Sequence, residues 1–252
     1  MRNNVKQTPR RRSTNPEDYG YPTTDIEALS QKTLEVTRRL TDQYGEVPFS
    51  SKDPMSMLVD IILSHRTRDE QTAAAYANLL KRFGSWEAVR DAPTQEVQDT
   101  IANVNWPEIK APRLQTIMRQ ITGERGNLNL DFLCDLPVAE SAAWLNRFEG
   151  VGPKTAACVL LFSCQQPLLP VDVHVHRVSG RLGLIGKKVS ADNAHALLQA
   201  LLPPNNARII YNFHKALLRH GQRTCVFEHP RCSKCALTDL CDYYNTVVHP
   251  HQ

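Results

Sequence analysis

The sequence has no long hydrophobic run. Its longest unbroken apolar stretch extends only from Ala156 to Phe162, whereas a membrane-spanning helix needs about 20 apolar residues. The first residues also lack the apolar segment of a secretory signal peptide. These absences exclude a membrane protein and predict a cytoplasmic location, associated with the nucleoid if the chain is bacterial.

A large excess of one charge is also absent. The formal net charge is +4, from 30 Lys and Arg against 26 Asp and Glu. The first twelve residues carry five basic and no acidic side chains, so the other 240 residues sum to −1. Bulk charge therefore gives no argument for a nucleic-acid partner, and such an argument must come from local sites. Residues 1–22, with three prolines, are predicted to be a disordered basic arm.

Sustained strand alternation is missing as well, whereas helical spacing recurs along the chain. Hydrophobic residues make up 41% of the sequence, which is enough to build a core. The pair Asp53-Pro54 predicts a helix start, with Asp53 as the N-cap and Pro54 at the first helical position. Residues 55–64 are apolar on nearly every side, which is typical of a buried central helix. Asp69 is predicted to cap the next helix and Pro112 to lie near the start of a later one. The predicted fold class is all-α.

A Gly-x-Gly turn separates a predicted helix over 137–148 from one that restarts at Pro153. Two glycines permit a tight turn with positive φ. The N–H groups of the turn and of the following helix would point outward together, and a DNA phosphate fits such an anion site. Lys154 follows at a helix N-terminus, where the macrodipole disfavours a cation. It is either an ordinary exposed lysine or, because it breaks a local rule, a functional residue.

Asp172 stands between two valines at the predicted start of another helix. By spacing alone, the simpler interpretation is an N-cap. The alternative is a carboxylate that faces a cleft, where it stabilises an oxocarbenium-like sugar centre and shuttles protons.

Four of the seven cysteines fall within 17 residues, with the spacing C-x6-C-x2-C-x5-C. In a reducing compartment this clustering indicates a metal site rather than a disulfide framework. Four thiolates hold either a tetrahedral zinc ion or an iron–sulfur cube, and the spacing does not choose between them. Cys134, Cys158 and Cys164 are predicted to be buried core residues. The clustered cysteines are Cys225, Cys232, Cys235 and Cys241.

These features, in this order, resemble the endonuclease III family of DNA repair glycosylases. The matching runs are residues 148–157 (FEGVGPKTAA), 170–178 (PVDVHVHRV) and 218–225 (LRHGQRTC), followed by the cysteine spacing. The resemblance extends over roughly residues 26–245, and a combined match is more specific than any single motif.

The family fold has two all-α domains with DNA bound across the cleft between them. For this chain the resemblance implies a six-helix domain with a helix-hairpin-helix over residues 47–166. An iron–sulfur cluster domain would combine residues 23–46 and 167–252.

The resemblance also implies roles for single residues. Lys154 corresponds to the family's catalytic lysine and Asp172 to its catalytic aspartate, while the four clustered cysteines would hold a 4Fe–4S cluster rather than zinc. The implied DNA contacts are Gly150, Val151, Gly152, Thr155, Ser64, Arg66 and Arg231.

One departure from the family pattern concerns residues 64–69 (SHRTRD). Arg66 stands where the family has a glutamine that helps to fill the space left by a flipped nucleotide, so the resemblance specifies neither the pocket nor the opposite-base preference of this chain. Glu228 and His229 make the cysteine loop less basic than usual, which leaves Arg231 as its phosphate candidate.

The function implied is a monomeric bifunctional DNA N-glycosylase and abasic-site (AP) lyase. It would remove oxidised pyrimidines from double-stranded DNA, and cleave abasic sites, through a lysine Schiff base and β-elimination. One alternative is a mismatch or uracil glycosylase, or an AP lyase that lacks base excision. The other alternative is a non-catalytic, metal-stabilised DNA-binding protein.

Overall fold

The computed structural model describes residues 20–250, and in that range the chain forms eleven α-helices and no β-strand. The all-α prediction is confirmed. No helix within these residues combines the length and apolar character needed to cross a membrane. The helices are α1 (Ile26–Tyr44), α2 (Pro54–Ser64), α3 (Asp69–Phe83), α4 (Trp86–Asp91), α5 (Thr94–Thr100), α6 (Pro107–Arg125), α7 (Val138–Leu145), α8 (Pro153–Ser163), α9 (Val173–Leu182), α10 (Ala191–Ala200) and α11 (Ala207–Arg223).

The predicted start of the central helix is confirmed, and two other predicted helix starts are wrong. The Asp53 carboxylate accepts the Ser56 N–H at 2.9 Å, and α2 is buried along nearly its whole length. Asp69 is the first residue of α3 rather than its cap. Pro112 lies inside α6, which begins five residues earlier at Pro107. The missing proline N–H costs α6 one hydrogen bond, which its long buried face offsets.

The helices pack in two groups. Helices α2 to α8 pack against one another, with α2 against α8 at the centre, while α11 packs against α1 and α9, and α10 against α9. The two groups meet where α11 contacts α8. This arrangement favours the domain division at residues 47–166, which stays a prediction.

Residues 1–19 of the predicted N-terminal arm lie outside the described residues. Its last three residues are not a free arm, because the Tyr21 hydroxyl donates to the Leu197 carbonyl at 2.8 Å and the Gly20 carbonyl accepts the Gly186 N–H at 2.8 Å. The predicted boundary at residue 22 is therefore too late.

Two of the cysteines predicted to be plain core residues form a disulfide, Cys134–Cys164, with Cα atoms 4.8 Å apart. The C-terminal end of α8 packs against the short 3-10 helix Asp131–Cys134 and brings the two residues together across 30 positions of sequence. Cys158 is a free, fully buried thiol, as predicted.

Candidate active site

Residues of both helical groups line a cleft with a volume of about 1100 Å³. Lys154 and Asp172 both line this cleft, and each is half-buried. Lys154 lies in the first turn of α8, and Asp172, 18 positions further along the sequence, directly precedes α9. The structure therefore brings together the amine and the carboxylate that the sequence motifs marked.

The turn before Lys154 depends on one glycine rather than two. Gly150 has φ = +82°, and an added Cβ would come within 2.5 Å of the Arg113 side chain. Gly152 has φ = −94° and open space around its Cβ position, so the expectation of positive φ at both glycines is wrong. As the N-cap of α8, Gly152 has no side chain to cap the helix, which leaves first-turn N–H groups of α8 available to an anion.

Two predicted DNA contacts in this hairpin face inward. The Val151 side chain is buried and its N–H donates to the Phe148 carbonyl at 3.0 Å. Thr155 is only 3% exposed, and its Oγ1 shares a hydrogen bond with Nε2 of His65 at 3.1 Å. Neither residue is free to hold a phosphate through these groups, because packing and internal hydrogen bonds already use them.

Asp172 serves as the N-cap of α9, and it also faces the cleft. Its Oδ1 accepts the N–H groups of His174 and Val175, both at 2.8 Å. Among residues 20–250, Oδ2 accepts no hydrogen bond. The capping bonds fix the orientation of the carboxylate and leave one oxygen for a substrate, so the two interpretations of Asp172 are compatible.

A buried histidine holds the loop that leads to Asp172. Nδ1 of His214 donates to the Pro170 carbonyl at 2.9 Å, and the side chain is 2% exposed. Burial lowers the pKa of His214 to about 4, although the negative charge of Asp172 acts in the opposite direction. His214 is therefore neutral at pH 7, and as a hydrogen-bond donor it keeps the loop in place.

His65 connects the end of α2 to the start of α8. Burial lowers the pKa of His65 to about 4, and the positive charges of Lys154 and Lys110 act in the same direction. Because the imidazole is neutral, it does not repel the positively charged side chains around it.

Lys110 is a site residue that the sequence did not reveal. It is 4% exposed, and its Nζ donates to the carbonyls of Leu63 and His65 and to Oγ1 of Thr67 at 2.6 to 2.8 Å. Burial lowers the pKa of this amine to about 8. Lys110 fixes the turn that follows α2, which carries Arg66.

Arg66 lies at the rim of the cleft beside two exposed apolar side chains. Its guanidinium carbon is 5.6 Å from the centre of the Trp106 ring, and the side-chain amide of Asn105 donates to its carbonyl. Trp106 is 44% exposed and Ile109 is 47% exposed, and both line the cleft. The sequence analysis singled out Arg66 but not Trp106 or Ile109. The local signal that it missed is a tryptophan directly before the proline that opens α6.

Of the two remaining predicted DNA contacts, Ser64 lies in the cleft and Arg231 lies outside it. Ser64 lines the cleft and donates its hydroxyl to the Ile61 carbonyl at 2.7 Å. Arg231 is exposed on the cysteine loop, where it donates to the Arg223 carbonyl at 3.2 Å, and it does not line the cleft.

The four clustered cysteines line one cavity between α9, the end of α11 and the C-terminal loop. Arg181 donates to Sγ of Cys225 at 3.3 Å, and the Leu237 N–H donates to Sγ of Cys235 at 3.4 Å. Donors of this kind stabilise thiolate ligands. Over residues 20–250, no three His, Cys, Asp or Glu side chains are arranged to hold a metal ion. The structure brings the four thiols together without fixing a ligand geometry.

A helical hairpin beside a cleft that contains a lysine and an aspartate is the arrangement expected from the resemblance to helix-hairpin-helix DNA glycosylases. The family profile described as "HhH-GPD superfamily base excision DNA repair protein" matches residues 59–204. A putative DNA glycosylase of Arabidopsis thaliana is 32% identical over 165 residues, which cover 66% of this chain and 55% of that protein. Endonuclease III of Thermotoga maritima is 30% identical over 216 residues, which cover 86% of this chain and 93% of that protein.

Among solved structures, a non-covalent endonuclease III–DNA complex matches with a TM-score of 0.73 at 21% identity, covering 86% of this chain and 97% of that one. At this identity the structural match shows the fold alone. The sequence matches show the family. This chain belongs to the HhH-GPD superfamily of base excision DNA repair proteins, and it is a DNA glycosylase/AP lyase of the endonuclease III family.

Proposed function

We propose that this enzyme removes oxidised pyrimidines from double-stranded DNA and cleaves the abasic sites that result, with Lys154 as nucleophile and Asp172 as its acid–base partner. The observation that carries the proposal is that both side chains line one cleft, with Oδ2 of Asp172 left open to a substrate. The cleft volume of about 1100 Å³ accommodates a nucleotide rotated out of a duplex.

The chemistry follows from these two groups. The damaged nucleotide must first leave the base stack, at a cost of roughly a few kcal/mol. The Lys154 amine then attacks C1′ and the base departs, while Asp172 accepts the amine proton and balances the positive charge on the sugar. The Schiff base that forms makes the C2′ protons acidic, and β-elimination breaks the bond to the 3′ phosphate.

The proposed DNA contacts fall in three places. The open first turn of α8, beginning at Gly152, would hold a backbone phosphate. Arg66 and Trp106, at the rim, would fill the gap that the rotated nucleotide leaves. Arg231 would contact phosphate outside the cleft, and the protein would act as a monomer.

We also propose that the four clustered cysteines hold a 4Fe–4S cluster. The shared cavity and the donors to two sulfurs fit a thiolate-bound group. Such a cluster would supply a structural link between α9, α11 and the C-terminal loop. Cys235→Ser should abolish broad visible absorption of the purified protein, whereas Cys134→Ser should retain it. A colourless wild-type protein that contains zinc would contradict this assignment.

The test of the proposed reaction is a panel of duplexes that contain thymine glycol, uracil, a G·T mismatch or an abasic site. We expect cleavage at thymine glycol and at the abasic site. Lys154→Ala should lose both activities, whereas Lys187→Ala, a change at an exposed lysine outside the cleft, should keep them.

Other results would overturn the proposal in distinct ways. Activity restricted to uracil or G·T would identify a mismatch glycosylase with Arg66 as a candidate determinant. Activity restricted to abasic sites would identify a lyase without base excision. Binding of all four duplexes without cleavage would identify a non-catalytic DNA-binding protein.

A further inference from the structure

Two helices contribute aromatic side chains to the lining of the cleft. On α8, Lys154, Cys158 and Phe162 recur every four residues and therefore share one face. Helix α11 packs against α8 and contributes Tyr211 and Lys215. All five side chains line the cleft. We call the part formed by Phe162, Tyr211 and Lys215 the recess.

The recess contains a second amine. The Nζ of Lys215 lies 4.3 Å from the ring centre of Phe162 and 5.4 Å from that of Tyr211. The two aromatic residues are 6% and 2% exposed. Among residues 20–250, no carboxylate forms an ion pair with Lys215. The faces of two aromatic rings therefore lie within cation–π distance of this charge.

Burial lowers the pKa of the Lys215 amine, and the charges of Arg219 and Lys154 act in the same direction, whereas Cys158 and Asp69 act in the opposite direction. Partial burial of a cation without an ion-pair partner, as at Lys215, is costly. A ligand that brings acceptor oxygens into the recess would remove this cost. An ordinary structural lysine would instead extend to solvent or pair with an acid.

The shape of the recess specifies the kind of ligand. Met57 and Ile61 of α2 are further buried apolar side chains that line the same cleft. Aromatic and aliphatic walls suit a planar ring, and the three N–H donors of Lys215 suit a carbonyl oxygen on that ring. A pyrimidine base has both features.

We propose that Lys215 donates a hydrogen bond to a carbonyl oxygen of the rotated base and stabilises the negative charge that the base acquires as it leaves. The proposal rests on the proposed function. As the C1′–N bond breaks, its electron pair moves into the base ring and onto that oxygen, while the Lys154 nitrogen bonds to C1′. A proton passes from Lys215 to the departing base, and water later reprotonates the amine. Lys215 is then a catalytic residue for base release alone.

The test separates base release from strand cleavage. Lys215→Met keeps the stem against the rings and removes the donor, and Lys187→Met makes the same change at an exposed lysine outside the cleft. Single-turnover rates are measured on a thymine glycol duplex and on the same duplex carrying an abasic site. We expect Lys215→Met to release the base 10²- to 10³-fold more slowly. It should cleave the abasic site within about threefold of wild type.

A second measurement compares two oxidised pyrimidines whose leaving nitrogens differ in acidity. The deficit of Lys215→Met should be larger for the poorer leaving group, an effect that a merely structural role would not produce. Equal losses on both duplexes, or base release at the wild-type rate, would overturn the inference. A wild-type protein inactive on both duplexes would instead overturn the proposed function.

Discussion

The imidazole Nε2 of His65 and the hydroxyl Oγ1 of Thr155 lie 3.1 Å apart, and this hydrogen bond joins the end of α2 to the first turn of α8. Lys154 precedes Thr155 directly, so the contact fixes the helix turn that presents the amine. Both side chains lie mostly in the interior, where an imidazole nitrogen left without a partner costs about 1–3 kcal/mol.

Thr155→Val keeps the shape of the side chain and removes this hydrogen bond. We expect the free energy of unfolding to fall by about 1–2 kcal/mol and abasic-site cleavage to slow by about tenfold, because the amine is less well oriented. Denaturant unfolding and single-turnover cleavage measure the two effects. Thr246→Val, at an exposed position, is the control. Equal behaviour of the two variants would show that the contact does not position Lys154.

Acid should destabilise the protein through two histidines, the buried His214 and the half-buried His65. Burial lowers the pKa of His65 and of His214 from 6.5 to about 4. Between these values the unfolded chain binds protons that the folded chain does not. Stability is therefore fully present above about pH 6.5 and is lost as the pH falls towards 4. Each shift corresponds to about 3 kcal/mol over that range.

Unfolding measured at pH 7.5, 6 and 5 tests this expectation. His65→Gln has no imidazole to titrate, so its stability should decline less steeply with falling pH than that of the wild type. Parallel pH profiles for the two proteins would show that His65 is not a source of acid sensitivity.

The two hairpin glycines should respond differently to the same substitution. Gly150→Ala places a Cβ at φ = +82° and within 2.5 Å of Arg113, which should cost at least about 1–2 kcal/mol. The melting temperature should fall by several degrees. Gly152→Ala meets open space at an ordinary φ and should melt near the wild-type temperature. Thermal unfolding of the two variants decides the matter, and equal melting temperatures would contradict the described turn.

The exposed rim should matter for DNA containing a displaced nucleotide. Trp106→Ala removes the ring beside Arg66, and we expect about tenfold slower excision with little change in stability. The reason is that the gap in the duplex would be filled less well. Ile26→Ala, an exposed apolar residue at the start of α1, is the matched control. If both variants excise at the wild-type rate, the rim has no part in nucleotide displacement.

Local sequence signals predicted the features that depend on local chemistry. Asp53 with Pro54 predicted the start of α2. The helical hairpin around Gly150 placed Lys154 in the first turn of a helix whose N-terminus is open. For Asp172, spacing suggested a cap and the family resemblance suggested a catalytic carboxylate. The structure shows the cap and the position in the cleft.

Features that depend on distant contacts could not be predicted in this way. The hydrogen bonds of Lys110 reach back more than 40 positions to the turn after α2, and the disulfide partners of Cys134–Cys164 meet only when α8 packs against the preceding segment. The family resemblance implied that Thr155 contacts DNA, but helix geometry turns its side chain towards His65. In each case tertiary packing decides which face of a helix is buried.

The most direct test of the account is to locate the covalent bond to DNA. Borohydride reduction of the wild-type protein on an abasic duplex, followed by proteolysis and mass spectrometry, identifies the residue attached to deoxyribose. The account predicts a single adduct at Lys154, lost in Lys154→Ala. An adduct at Lys215 or any other amine, or the absence of an adduct despite DNA binding, would contradict it.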